Sequence, residues 1–158
     1  MRITLGTIDA RDGVLAVHSR IWQCAIPLPK VEASPLCSAQ VVSIIDDDEA
    51  LRLAMETLVR SFGRRTRLFA SAEEFLQSGH IAETSCLISD IMMPGMSGVE
   101  LYDRILALGY TPPTIFITAF PAAELKAKAL ANGVLAVLNK PVDPDAIAHW
   151  LSVALDLP

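Results

Sequence analysis

The sequence predicts an open, doubly wound α/β fold in which five helices cover a parallel sheet of five strands. From Gln40 onward, short apolar runs alternate with amphipathic stretches, with five of each over residues 40–158. Each helical connection returns the chain in the same direction, so we expect all the strands to be parallel. In such a sheet, functional groups gather beyond the carboxyl ends of the strands, where the strand order reverses.

The first two elements have the clearest patterns. The apolar, largely β-branched run at 41–45 predicts a buried strand that ends at an acidic cluster. The apolar residues that follow are spaced three and four apart, which predicts one face of a helix: Leu51, Ala54, Met55, Leu58, Val59 and Phe62. Gly63 then ends this helix.

The second strand and helix are shorter. Residues 64–70 alternate Thr66 and Leu68 with arginines, which predicts a strand near the edge of the sheet. Ser71 and Glu74 have the spacing of a capping box, and they predict the start of a short helix.

The remaining elements continue the alternation. Strands are predicted at 86–89, 114–118 and 134–138, and helices at 98–108 and 122–131. Asp143 and Pro144 have the N-cap and N1 preferences that open a last helix. Its apolar face includes Trp150, which we therefore expect to pack in the core.

Composition narrows the class of protein. A length of 158 residues fits one domain at roughly 150 residues per domain. The chain is 52% hydrophobic and 20% charged, with a mean hydropathy of +0.41, which indicates a globular rather than a disordered protein. It carries 13 basic and 18 acidic residues, so no broad basic field favours nucleic acid or anionic lipid. We expect no direct binding to nucleic acid or membrane.

The apolar segments and the cysteines indicate the compartment in which the protein works. The longest uncharged stretch, residues 105–123, contains one glycine and three prolines, so a continuous membrane helix is not expected there. The early apolar run at 3–8 is too short for the core of a signal peptide. Three cysteines without a close pair predict free thiols: Cys24, Cys37 and Cys86. These features predict a cytoplasmic protein.

The first 39 residues do not fit the α/β repeat. Residues 4–8 and 14–18 flank an Asp-Gly pair and are compatible with a weak hairpin. Residues 26–35 contain three prolines and resemble a linker. We expect residues 1–39 to be an N-terminal extension, linker or weak hairpin, and we favour this over an independent functional module.

Acidic residues follow the first and third predicted strands. Asp46 and Asp47 begin a run of four acids, whose repulsion is relieved either by a divalent cation or by solvent and a helix N-terminus. Asp90 ends the third strand. If the first and third strands are neighbours, Asp90 faces Asp46 and Asp47. A metal could then bridge all three carboxylates, and Asp90 could act as a nucleophile toward phosphorus. Taken alone, Asp90 is also compatible with a turn.

Two further groups follow the last two strands. Thr118 offers a hydroxyl and Lys140 an ammonium. A phosphoryl group needs a nucleophile, a cation and donors for its remaining oxygens, and these residues complete that set. Lys140 could also form a salt bridge to the acidic cluster, which is compatible with the same chemistry.

Read in order, these positions resemble the receiver domain of response regulators from bacterial two-component systems. The resemblance covers residues 40–158 and rests on four short motifs: Ile44-Ile45-Asp46-Asp47, Asp90 with Met93-Pro94 and Ser97-Gly98, Thr118-Ala119, and Lys140-Pro141. It implies a flavodoxin-like sheet with the strand order 2-1-3-4-5.

The resemblance also implies a role for each site residue. Asp90 would accept a phosphoryl group from a histidine kinase or a phosphotransfer protein. Mg²⁺ would be bound by Asp47, Asp90 and the backbone carbonyl of Met92, with Asp46 acting directly or through water. Thr118 and Lys140 would contact the phosphoryl oxygens, and Thr118 would move toward the phosphate to trigger a conformational switch.

Output is expected through a protein contact. Because the sequence stops at Pro158 after the fifth helix, the resemblance favours a single-domain, stand-alone receiver. The family's usual contact surface is helix 4, strand 5 and helix 5, which here carry Lys126, Lys128, His149 and Trp150. The resemblance also allows a homodimer.

Three positions depart from the family pattern. Val137 stands three residues before the lysine, where the family usually has a Tyr or Phe that rotates inward on activation. Met92 and Phe120 lie two residues after the phosphoacceptor and the threonine, beside the path of attacking water. We hypothesise that these two apolar side chains shield the acyl phosphate and slow autodephosphorylation.

Two other functions fit part of this pattern. A receiver-like binding module would act without phosphorylation. A phosphohydrolase with an aspartyl nucleophile would need a general acid, commonly another Asp two residues on, and Met92 occupies that place. We therefore expect a phosphoacceptor switch rather than an enzyme. Such a protein would catalyse only its own phosphorylation and dephosphorylation.

Overall fold

A computed structural model describes residues 40–120 and 123–156, so the predicted N-terminal extension lies outside the described residues. Within them, strands and helices alternate along the chain. The strands are β1 (Val41–Ile45), β2 (Arg65–Phe69), β3 (Thr84–Asp90), β4 (Thr114–Thr118) and β5 (Ala136–Asn139). The helices are α1 (Glu49–Ser61), α2 (Ala72–Gln77), α3 (Gly98–Ala107), α4 (Ala123–Ala131) and α5 (Pro144–Leu155).

The strands form one parallel sheet in the order β2-β1-β3-β4-β5. This confirms the predicted doubly wound fold and the order 2-1-3-4-5. The chain runs outward from β1 to β2 and then outward from β3 to β5, so the order reverses between β1 and β3. The register there pairs Ile45 with Ser89, which brings the residues that follow both strands to the same edge.

Apolar side chains fill both faces of the sheet because successive strand residues point in opposite directions. On one face, Ile44 and Ile88 pack with residues of α1 and α5, and the partly buried Trp150 packs against this cluster as predicted. On the other face, Ile45 and Leu87 pack with residues of α2 and α3. Cys86 is buried in the first cluster, and burial raises the pKa of its thiol to about 12.

Element boundaries differ from the prediction where main-chain hydrogen bonds take precedence over the apolar pattern. β5 begins at Ala136 rather than at Val134, because the Val134 N–H donates to the Ala129 carbonyl at the end of α4. β3 begins two residues earlier than predicted, because Thr84 pairs with Val41 of β1 in the sheet, and its hydroxyl is also hydrogen-bonded to Ser43 at 2.8 Å. A short 3-10 helix, Ile81–Glu83, precedes it and was not predicted.

The predicted capping box of α2 is only half formed. Ser71 accepts a hydrogen bond from the Glu74 N–H at 3.1 Å, but the Glu74 carboxylate accepts from the Ala70 N–H at 2.6 Å and not from that of Ser71. The Glu74 carboxylate thereby satisfies the main-chain N–H of Ala70, the residue that follows the edge strand β2. A complete capping box is formed instead by Ser97 and Glu100 at the start of α3.

None of the helices in the described ranges is both long and apolar enough to cross a membrane.

Candidate functional site

Three carboxylates meet at the carboxyl edge of the sheet. Asp46 and Asp47 directly follow β1, and Asp90 is the last residue of β3. Because β1 and β3 are parallel neighbours, one oxygen from each of the three lies within 4.8 Å of the others. Asp46 and Asp90 are only 3% and 5% exposed, whereas Asp47 is exposed. The juxtaposition predicted from the sequence is therefore present.

Short turns orient the two buried aspartates. The Asp48 N–H donates to Oδ1 of Asp46, and the Met92 N–H donates to Oδ1 of Asp90, each at 2.9 Å. Both contacts join a carboxylate to the main chain two residues later, which is the usual geometry of an Asx turn. In each aspartate, this leaves Oδ2 free to face other groups of the site.

Lys140 crosses the edge of the sheet and contacts both of these oxygens. It follows β5, and its Nζ lies 2.5 Å from Oδ2 of Asp90 and 3.1 Å from Oδ2 of Asp46. Burial acts to lower the pKa of Lys140, but its hydrogen bonds to Asp90 and Asp46 outweigh burial and raise the pKa. The lysine therefore carries its positive charge within the site.

The negative charge of the three carboxylates is not fully balanced by Lys140. Burial raises the pKa of Asp46, although the Asp48 N–H and Lys140 act in the opposite direction. One ammonium faces three carboxylates, so the group retains an excess of negative charge. This arrangement has the ligand type and the charge that favour a hard divalent cation.

The hydroxyl of Thr118 lies at the same edge but has another partner. Thr118 ends β4 and is buried, and its main-chain oxygen accepts from the Lys140 N–H at 2.8 Å. Its Oγ1 accepts from the Phe120 N–H at 3.1 Å and donates to the Phe120 carbonyl at 3.2 Å. The main chain thus places Thr118 beside Lys140, while its hydroxyl is bonded to Phe120.

The three residues that depart from the family pattern differ in exposure. Met92 and Phe120 expose 58% and 72% of their surface. Val137 is buried in a third apolar cluster with Phe116 and Tyr102, whose rings meet edge to face at 6.1 Å. The Met92 N–H is engaged with Asp90, and the predicted role of its carbonyl as a metal ligand stays a prediction.

Sequence reasoning missed two supports of the aspartates. The Arg52 guanidinium donates to the main-chain oxygen of Asp46 at 2.6 Å, and the Ser89 hydroxyl donates to that of Asp90 at 2.9 Å. An arginine in the first turn after an acidic cluster, and a serine inside an apolar strand, were the available signals. Neither signal indicates a contact with a particular carbonyl.

The chain belongs to the response regulator receiver domain family, whose model matches residues 42–152. Among curated proteins it is 35% identical over 117 residues to the response regulator protein TmoT of Ectopseudomonas mendocina, covering 74% of this chain and 53% of that protein. It is also 35% identical over 114 residues to the transcriptional regulatory protein FixJ of Azorhizobium caulinodans, with 72% and 54% coverage. The chain thus spans about half the length of these relatives.

Solved structures show the same fold. The response regulator StyR superposes with a TM-score of 0.70 at 31% identity, over 75% of this chain and 60% of that one. The structure of FixJ-N superposes with a TM-score of 0.68 at 27% identity, over 75% and 95% of the two chains. The family resemblance inferred from the sequence is therefore confirmed.

Gly98 provides a test of how closely α3 approaches the Asp90 main chain. A Cβ at this position would lie 2.3 Å from the Asp90 carbonyl oxygen. We expect Gly98→Ala to lower the free energy of unfolding by about 1–3 kcal/mol through this overlap. Urea denaturation measures the change. In a helix, alanine is normally more favourable than glycine. A variant that is as stable as the parent, or more stable, would therefore contradict the close approach.

Proposed function

We propose that this chain is a phosphorylation-controlled switch in which Asp90 accepts a phosphoryl group from a histidine kinase or a phosphotransfer protein. The observation that carries the proposal is the meeting of Asp90 with Asp46, Asp47 and Lys140 at one edge of the sheet. Membership of the receiver family supports an upstream kinase partner. We also propose that this signalling takes place in the cytoplasm.

In the proposed reaction, a carboxylate oxygen of Asp90 attacks phosphorus in line with the phosphohistidine nitrogen. An O–P bond forms as the P–N bond breaks, the imidazole leaves with the bonding pair and takes up a proton, and Asp90 becomes an acyl phosphate. The Lys140 ammonium lies 2.5 Å from Asp90, which supports a role in stabilising negative charge on the phosphoryl oxygens. Thr118 would supply a further donor.

The donor set fits Mg²⁺. Carboxylate and carbonyl oxygens are the ligands that this ion prefers, and the three carboxylates approach within 4.8 Å with one lysine to balance them. We propose that Asp46, Asp47, Asp90 and the Met92 carbonyl hold the ion. When bound, Mg²⁺ supplies positive charge against the phosphoryl oxygens.

We propose that the switch begins at Thr118. A phosphoryl group on Asp90 would attract its hydroxyl, which would then give up its two bonds to the Phe120 main chain. Because Phe120 lies between β4 and α4, the change would reach α4, β5 and α5, where we propose that a protein target binds. Met92 stands where a phosphohydrolase would have its general acid, which supports a switch over a turnover enzyme.

The central test is phosphorylation by a small donor. With Mg²⁺ and acetyl phosphate, we expect the intact mass to increase by one phosphoryl group, and we expect Asp90→Ala to abolish the increase. Asp48→Asn is the matched control, because it removes a neighbouring carboxylate while keeping an N-cap side chain for α1. A phosphoryl group retained in Asp90→Ala would exclude Asp90 as acceptor. An unmodified parent protein would favour a module that binds without phosphorylation.

The Thr118 movement is tested at the Phe120 amide. In the unmodified protein we expect this N–H to exchange slowly with solvent because Thr118 accepts its hydrogen bond. Phosphorylation should speed its exchange, and Thr118→Val should make exchange fast in both states, as followed by NMR. If the amide stays equally protected once mass spectrometry shows Asp90 to be modified, Thr118 does not move as proposed.

The shielding hypothesis predicts the lifetime of the phosphorylated state. Replacing Met92 and Phe120 together by glutamine should shorten it, because polar side chains would let water approach the acyl phosphate. Loss of the phosphoryl group is followed by intact mass after the donor is removed. Leu108→Gln is the control, since Leu108 is also an exposed apolar residue but lies at the opposite end of α3 from the site. An unchanged lifetime in the double variant would reject shielding.

A further inference from the structure

Arg52 connects α1 to the turn that carries the metal-binding aspartates. It is the fourth residue of α1, and its Nη1 donates to the main-chain oxygen of Asp46 at 2.6 Å. The two residues are six positions apart, so the bond closes the acidic turn against the first turn of the helix. The contact is partly buried, which protects it from solvent.

The guanidinium makes this contact instead of an ion pair. Within the described ranges, five contacts of 4.0 Å or less join basic and acidic side chains, and none of them involves Arg52. Arginine ordinarily favours carboxylates, which it binds with two parallel hydrogen bonds. Here it binds a carbonyl next to a run of four acids, and it forms no hydrogen bond with the carboxylate of Asp46 or Asp47.

The carbonyl that Arg52 binds belongs to the peptide unit that joins Asp46 to Asp47. The Asp46 carbonyl and the Asp47 N–H belong to one planar peptide unit, so fixing the carbonyl fixes how the chain leaves Asp46 and enters Asp47. Asp46 has three other hydrogen bonds: its N–H donates to the Phe69 carbonyl at 3.3 Å, and its carboxylate accepts from the Asp48 N–H at 2.9 Å and from Lys140 at 3.1 Å. For Asp47, no side-chain hydrogen bond occurs among the residues that the structure describes, so its position depends on this peptide unit.

We propose that Arg52 is a positioning residue for the Mg²⁺ site: it holds the Asp46 carbonyl and so orients Asp46 and Asp47 without occupying their carboxylates. The inference rests on the Mg²⁺ part of the proposed function. Groups that orient metal ligands typically change affinity by about 10- to 100-fold when they are removed. Arg52 differs in this respect from Lys140, which binds the carboxylates directly.

The direction in which Mg²⁺ affinity changes when Arg52 is replaced distinguishes a positioning role from a purely electrostatic one. If Arg52 acted only as a nearby positive charge, its removal would relieve repulsion and tighten Mg²⁺ binding. If it positions the aspartates, its removal weakens binding even though a positive charge has been lost. Arg52→Lys keeps the charge but has a single nitrogen on a differently shaped stem, so positioning predicts weaker binding there too.

The test is calorimetric titration of the full chain with MgCl₂ at constant ionic strength. We expect Arg52→Met to weaken binding about 10-fold and Arg52→Lys to weaken it as well. Arg60→Met is the matched control, because Arg60 lies near the other end of α1 and pairs with Glu56 at 3.4 Å. It removes the same charge from the same helix, and we expect no weakening.

Each outcome decides one proposal. Parent-like or tighter binding in folded Arg52→Met would overturn the positioning role, and so would equal weakening in Arg60→Met. Urea unfolding without Mg²⁺ establishes that the variants are folded, and Arg52→Lys decides the question if Arg52→Met is not. Failure of the parent protein itself to bind Mg²⁺ would overturn the Mg²⁺ part of the proposed function, and the role of Arg52 with it.

Discussion

The structure depends on the burial of two like charges side by side. Asp46 and Asp90 follow neighbouring parallel strands, and both are almost inaccessible to solvent. Carboxylates so placed repel each other and lose hydration, so they require compensating positive charge. Lys140 supplies one such charge from beyond β5. The exposed Asp47 adds a third negative group, and the remaining excess of negative charge favours a divalent cation at this edge.

The sequence was informative where one physical rule determines the structure. Apolar runs, helical spacing and capping residues together predicted every strand and α-helix of the described ranges, and the shared edge of parallel strands predicted that Asp46, Asp47 and Asp90 meet. The contacts of Arg52 and Ser89 with main-chain carbonyls could not be predicted, because they depend on how elements are placed in three dimensions. The same is true of the start of β5, where a bond from Val134 to α4 overrides an apolar run.

Val137 occupies a position where the family pattern usually has an aromatic residue. A valine at 137 fills its place in an apolar cluster between α3, α4 and the sheet, and it has no ring that could change position. The hydroxyl of Thr118 is instead joined to the main chain at Phe120. In the proposed switch, the signal therefore leaves β4 through the hydrogen bonds between the Thr118 hydroxyl and the Phe120 main chain, and the exposed Phe120 side chain would move with them.

The contact between Lys140 and Asp46 has a consequence for the order in which the site can be assembled. The two residues are 94 positions apart, and the lysine follows the last strand of the sheet. Contacts between residues so distant in sequence form only after the intervening chain has been organised. During synthesis, a nascent chain that ends before residue 140 has both buried aspartates but lacks their ammonium. The C-terminal part of the domain thus supplies the lysine of the site, so a truncated product would retain the acids without this compensating charge.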